Sequence, residues 1–139
     1  MELQKSFKNR KIGVVLTYLS LLSALLVFEY AREDEWNIIF KIIEVISIIL
    51  FVVSFIFTYV KTGLWRFTHQ PLIELDEREV ILISKSLRYA YTSFTILVLL
   101  LLMSFALTNA SIDMVLVASL IIFAHLLPAS IIAWTEKVV

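Results

Sequence analysis

Apolar residues in this chain fall in four long runs, Ile12–Phe28, Ile38–Val60, Tyr89–Leu107 and Ile112–Trp134. With their flanks these predict membrane spans at about 12–30, 38–60, 87–108 and 112–134. Each is close to the ~20 residues that a helix rising 1.5 Å per residue needs to cross ~30 Å of hydrocarbon. Lipid offers backbone groups no water to bond, so runs of this length close their hydrogen bonds as helices. The period-two alternation of a membrane barrel is missing. The pattern therefore predicts an all-α membrane protein, a four-transmembrane-helix bundle forming one domain over residues 1–139.

The segment 61–86 between spans two and three is of a different kind. Its first part mixes Gly63, Trp65, Phe67 and Pro71 with basic residues, a composition suited to the headgroup layer. Asp76, followed three residues later by Glu79, then reads as a helix N-cap with its capping-box partner. The helix it opens runs without glycine or proline into span three, so that from Glu77 to Thr108 it would be ~48 Å long. It is expected to extend into the cytoplasm, with Val80, Ile83 and Leu87 as an apolar stripe at i, i+3, i+7.

Orientation follows from the basic residues, which are held on the cytoplasmic side of short loops. Lys5, Lys8, Arg10 and Lys11 precede span one, and Lys61, Arg66, Arg78, Lys85 and Arg88 lie between spans two and three. Lys137 follows span four. The other side has only Arg32 and Lys41, beside the acidic group Glu33, Asp34 and Glu35. Both termini are therefore expected in the cytoplasm, with Trp36, Trp65 and Trp134 in the aromatic belts. The basic opening followed by apolar residues resembles a signal peptide, but the run from Ile12 to Tyr30 is too long for its core. It also ends without a clear small-residue cleavage site, so it is read as a retained span.

Composition narrows the chemistry. With 60% hydrophobic and 17% charged residues the chain has too little polar surface for a soluble domain, and its net charge of zero offers no footprint for nucleic acid. The absence of cysteine removes disulfides, thiolate metal sites and thiol nucleophiles. No metal-binding spacing, nucleophile elbow or P-loop occurs, so the expectation is a protein that is not an enzyme and carries no metal or cofactor.

In lipid, small and weakly polar side chains mark the faces on which helices pack. Span one offers Gly13, Thr17, Ser20 and Ala24, and span two Glu44, Ser47, Ser54 and Thr58. Span three offers Ala90, Ser93, Ser104 and Thr108, and span four Ala118, His125, Ala129 and Ala133. Two of these residues stand out as candidates for function. Glu44 is a carboxylate roughly 9 Å inside the bilayer. The plain reading pairs it with Lys41 at the interface, and the functional one makes it a proton-coupled site. His125, three residues before the helix-kinking Pro128, needs a hydrogen-bond partner, for which Thr17 or Thr95 is at the right depth. Otherwise it is a proton relay or an axial ligand to haem or chlorophyll, and the only other imidazole, His69, is in the loop.

The stretch Leu75-Asp76-Glu77-Arg78-Glu79, followed by Ile83, Ser86 and Ala90, resembles the box of small four-span prokaryotic integral membrane proteins of unknown function. Those proteins also carry it on the cytoplasmic side before the third span. The resemblance makes Asp76, Glu77 and Arg78 the signature positions and implies no catalytic activity. The expected function is a non-enzymatic subunit, assembly factor or regulator of a complex in the cytoplasmic (inner) membrane. Its partners would be the lipid bilayer and a protein, or further copies of itself, met through the helix faces. The alternative is an oligomeric transporter or channel for small solutes or protons that uses Glu44 or His125.

Overall fold

A computed structural model describes residues 2–33, 37–109 and 111–136, less the side chains of 2–6, 33 and 72. The expected acidic group at 33–35, Trp36 and Lys137 lie outside the described residues or, for Glu33, outside the described side chains, and so does the side chain of Lys5. Helix α1 runs over Glu2–Glu33, and α2 over Ile38–Phe55, continued by a π-helical turn at Ile56–Val60. A short α3, Leu64–His69, precedes α4, Glu77–Thr108, and α5, Met114–Thr135. No strand occurs among the described residues. Four of the helices are long and apolar enough to cross a membrane, and the chain is a multi-pass membrane protein.

The helices start and stop where local chemistry requires. The Asp76 carboxylate accepts from the Glu79 amide at 2.7 Å while the Glu79 side chain accepts from the Asp76 amide at 3.0 Å, the reciprocal capping box expected at this position. Asp113 caps α5 by accepting from the Leu116 amide at 2.8 Å. Gly63, at φ 77°, takes the left-handed conformation that ends the π turn and lets the chain reverse into α3. Asn109, at φ 52°, does the same for α4, bonding its amide to the Phe105 carbonyl.

Helix α1 lies between α2 and α5, and α5 carries α4 on its other side. The α1–α2 pair is the tightest seam. It is antiparallel, and Ser23 and Ser47 bond across it at 3.0 Å. Thr17 meets Ser54 at 3.0 Å, and Gly13 lies directly against Thr58. Helix α5 is fixed to α1 near both ends. An Arg10 amino group donates to the Glu136 carbonyl at 3.1 Å, and Arg32 pairs with Asp113 at 2.9 Å. The first contact puts the start of α1 and the end of α5 at one end of the molecule. The apolar core belongs to that end too, where Val14, Tyr59, Leu64, Ile83, Leu126 and Ile132 are buried together.

The segment expected to lie in the headgroup layer covers this core. Leu64 is fully buried, and Trp65 stands edge-on to Phe55 and stacks on His69, with ring centres 5.4 and 4.1 Å apart. On α4 the buried stripe is Ile83, Ser86 and Ala90, while Leu87 of the expected stripe is half exposed. Of the contact face expected on span three only Ala90 is buried, and Ser93, Ser104 and Thr108 are exposed. The reason is position: α4 has one principal neighbour, α5, and beyond Ala90 most of its circumference faces outward.

A methyl group at Gly13 would overlap the Thr58 hydroxyl. Gly13→Ala is therefore expected to destabilise the protein by about 1–3 kcal/mol, the usual range for overpacking. Thr58→Ala should relieve part of that loss. Unfolding in mixed micelles against denaturing detergent, run as a double-mutant cycle, measures both. A second expectation concerns pH. The Leu116 amide, with Arg32 adding to it, holds the Asp113 carboxyl below the usual carboxylate range. A lowered folded value means that its contribution is complete at neutral pH and is lost only as pH falls through that value. The stability gap between wild type and Asp113→Ala should therefore persist to mildly acidic pH and close below it.

Candidate functional site

The polar residues inside the bundle converge on Ser130 of α5. A helical serine can donate to the carbonyl four residues back, and the Ser130 hydroxyl donates to that of Leu126 at 2.7 Å. A serine oxygen has two lone pairs besides, and both are occupied. Tyr18 of α1 and Tyr59 of the π turn each place a hydroxyl 2.7 Å from it. Because a carbonyl can only accept, the serine proton is committed to Leu126 and both tyrosines donate.

The π turn is what brings Tyr59 there. The Lys61 amide bonds to the Ile56 carbonyl, five residues back, which admits one extra residue and re-aims the side chains inside the turn. Thr58 consequently faces Gly13 while Tyr59 is fully buried in the core. Tyr18 is further held by an edge-on contact with Phe123, ring centres 5.2 Å apart. Three segments that are remote in sequence are thus joined at one oxygen atom. With the serine oxygen saturated, the arrangement ties α1, the π turn and α5 to one another.

The residues singled out from the sequence lie elsewhere. Glu44 is half-buried on α2, with Oε2 enclosed and without a hydrogen bond. The expected pairing with Lys41 is absent from the ion pairs among the described residues. Lys41 is exposed, three residues into α2, while Glu44 is partly buried. A lysine preceding its glutamate is also the less favourable order on a helix.

His125 corrects the other expectation. It is exposed and bonds neither Thr17 nor Thr95; its Nδ1 lies 3.0 Å from the Ile121 carbonyl of its own helix. Since that carbonyl accepts, Nδ1 carries the proton and Nε2 is left as an acceptor. Thr17 is engaged with the Gly13 carbonyl and Ser54 instead. His125 borders a shallow apolar gap of about 300 Å³ between α2 and α5, together with Phe51, Phe55 and Trp65. Asp76, Glu77 and Arg78 are all exposed, and Asp76 serves as the cap of α4. The structure does not bring these residues together with Glu44 or His125, and no group of acidic and histidine side chains suited to a metal occurs among the described residues.

Sequence reasoning missed Tyr18, Tyr59 and Ser130. Tyr18 did carry a signal, being a tyrosine well inside an apolar run and away from either belt. Tyr59, at a span end, reads as a belt residue, and nothing in the sequence announces the π turn that buries it.

Ser130→Ala should leave two buried phenols without their acceptor and cost about 1–2 kcal/mol, the scale of side-chain hydrogen bonds in membrane bundles. The triple variant Tyr18→Phe, Tyr59→Phe, Ser130→Ala should recover much of that loss, because it removes both sides of each bond. Detergent-denaturation midpoints would check the pair. No family model, no curated protein and no solved structure matches the chain.

Proposed function

We propose that this chain is a non-enzymatic membrane subunit, acting as a structural part, assembly factor or regulator of a larger membrane complex. The observation that supports this reading best is where the polar groups of the spans lie. Several of those inside hold helices together, as at Ser130, Ser23–Ser47 and Thr17–Ser54. Others, among them Ser93, Ser104 and His125, are exposed on the outer faces of α4 and α5. In hydrocarbon such groups are better placed against a protein than against acyl chains.

Orientation belongs to the same proposal: termini, α3 and the capped start of α4 on the cytoplasmic side of the inner membrane, with α4 projecting beyond the bilayer. The basic residues and the 32-residue length of α4 support it. The likeness of Asp76, Glu77 and Arg78 to the box of small four-span prokaryotic membrane proteins of unknown function is consistent with that placement. The chain has no cysteine, so single introduced ones report without background. Glu77→Cys should react with an impermeant maleimide only after the membrane is opened, and Asn109→Cys in intact cells; the reverse pattern overturns the orientation.

The partner-docking reading is tested by photocrosslinking from positions 104 and 125, with Ile49, which is also exposed, as the comparison site. A protein adduct of a single defined mass from positions 104 and 125, and none from 49, is expected. Uncrosslinked monomer at every site would sink the proposal. A second reading, an oligomeric transporter or channel, is favoured by the enclosed and unbonded Oε2 of Glu44. It requires adducts of the chain with itself, and it fails if Glu44→Gln leaves transport by reconstituted vesicles unchanged.

A further inference from the structure

Along the outer side of the α1–α2 seam runs a groove of about 830 Å³, within the ~300–1,000 Å³ typical of ligand sites. Its walls are apolar, formed by Leu16 and Leu19 of α1, by Leu50 and Val53 of α2 and by Phe57 of the π turn. On its floor the serine hydroxyls lie in bonds within the protein. Ser23 bonds Ser47, Ser20 donates to the Thr17 carbonyl, and Ser54 donates to the Phe51 carbonyl. An occupant therefore meets mostly hydrocarbon along the length of the groove.

The mouth is different. Asn9, Arg10 and Thr62 line it, and the Lys61 ammonium lies over the ring of Phe57, itself a wall residue, at 4.0 Å. These residues flank the apolar runs that begin at Ile12 and end at Val60, which puts them at the level of the headgroups. From Ile12 to Ser23, its deepest α1 residue, the groove descends ~16 Å, about half of the ~30 Å hydrocarbon thickness. A partner's transmembrane helix would need a seam through both leaflets. A groove that ends at mid-bilayer under a cationic mouth matches a lipid of one leaflet.

We propose that this groove binds one anionic phospholipid, its phosphate at Asn9, Arg10, Lys61 and Thr62 and an acyl chain along Leu16, Leu19, Leu50 and Val53. The site depends on the chain spanning a membrane and is independent of the partner-docking reading. The Arg10 guanidinium contributes its charge from a buried position while it holds the Glu136 carbonyl, so the lipid would sit beside the contact that ties α1 to α5.

The test is native mass spectrometry of the purified full chain in detergent. Phosphatidylglycerol and phosphatidylcholine of the same acyl composition are supplied in equal amounts. One phosphatidylglycerol should be retained in preference to phosphatidylcholine. Lys61→Gln should weaken that preference about fivefold, the worth of one basic residue at an anionic surface. Val53→Trp, which fills the groove, should reduce retention of both lipids, whereas Ile49→Trp, exposed on α2 outside the groove, should not. Equal retention of the two lipids overturns the proposal. So does a preference that survives both Lys61→Gln and Val53→Trp. Displacement of the lipid by inorganic phosphate alone also overturns it, because it would mean that the groove contributes nothing.

Discussion

The oxygen of Ser130 is the point on which the arrangement of helices turns. In water a buried hydroxyl shared by two phenols would compete with solvation of all three groups. In a bilayer the competing state has little water to offer, and each polar group within the spans must find its partner in the protein. Ser130 meets that requirement for Tyr18 and Tyr59 at once and thereby fixes α1, the π turn and α5 relative to one another. The Gly13–Thr58 approach and the Leu64 cap on the core are compatible only with that arrangement, since both depend on the way in which the π turn presents Thr58 and Tyr59 on different faces.

The rest of the molecule is held more loosely. Beyond the cluster at the end that holds the start of α1 and the end of α5, the helices present leucine, isoleucine and valine outward, as lipid-facing surfaces do. Stability is thus concentrated at one end. At the other, the Arg32–Asp113 pair ties α1 to α5, and the rings of Tyr30 and Phe40 meet between α1 and α2 with centres 5.8 Å apart. Helix α4, with one principal neighbour, is the part of the fold with the fewest internal reasons to stay where it is.

Much of this was legible from sequence, and for identifiable reasons. Span positions depend on hydropathy summed over twenty residues, which survives any detail of packing. The start of α4 depends on Asp76 and Glu79, whose chemistry is local. Contact faces were legible only where two small or polar stripes meet, as along Gly13, Thr17, Ser54 and Thr58. They were misleading on α4, because Ser93 and Ser104 look the same whether a neighbour is present or not. Which helix lies beside which is decided by pairings such as Tyr18 with Ser130, more than a hundred residues apart, and nothing short-range encodes them. Glu44 and His125 drew attention as rare residue types, yet rarity in lipid says that a group needs an explanation without saying where its partner is.

The π turn at Ile56–Val60 gives the chain a local aim as well as a shape. A helix that bonds five residues back for one turn and four elsewhere carries one residue more than an unbroken helix would. The wider turn absorbs that residue, so the helix before it and the helix after it keep nearly the same phase about the axis. Removing one residue there would restore ordinary winding, hardly shorten the span and leave both flanks facing as they do; only the side chains inside the turn, Thr58 and Tyr59 among them, would be re-aimed. The extra residue therefore serves local aim, and the reach of span two across the membrane hardly depends on it.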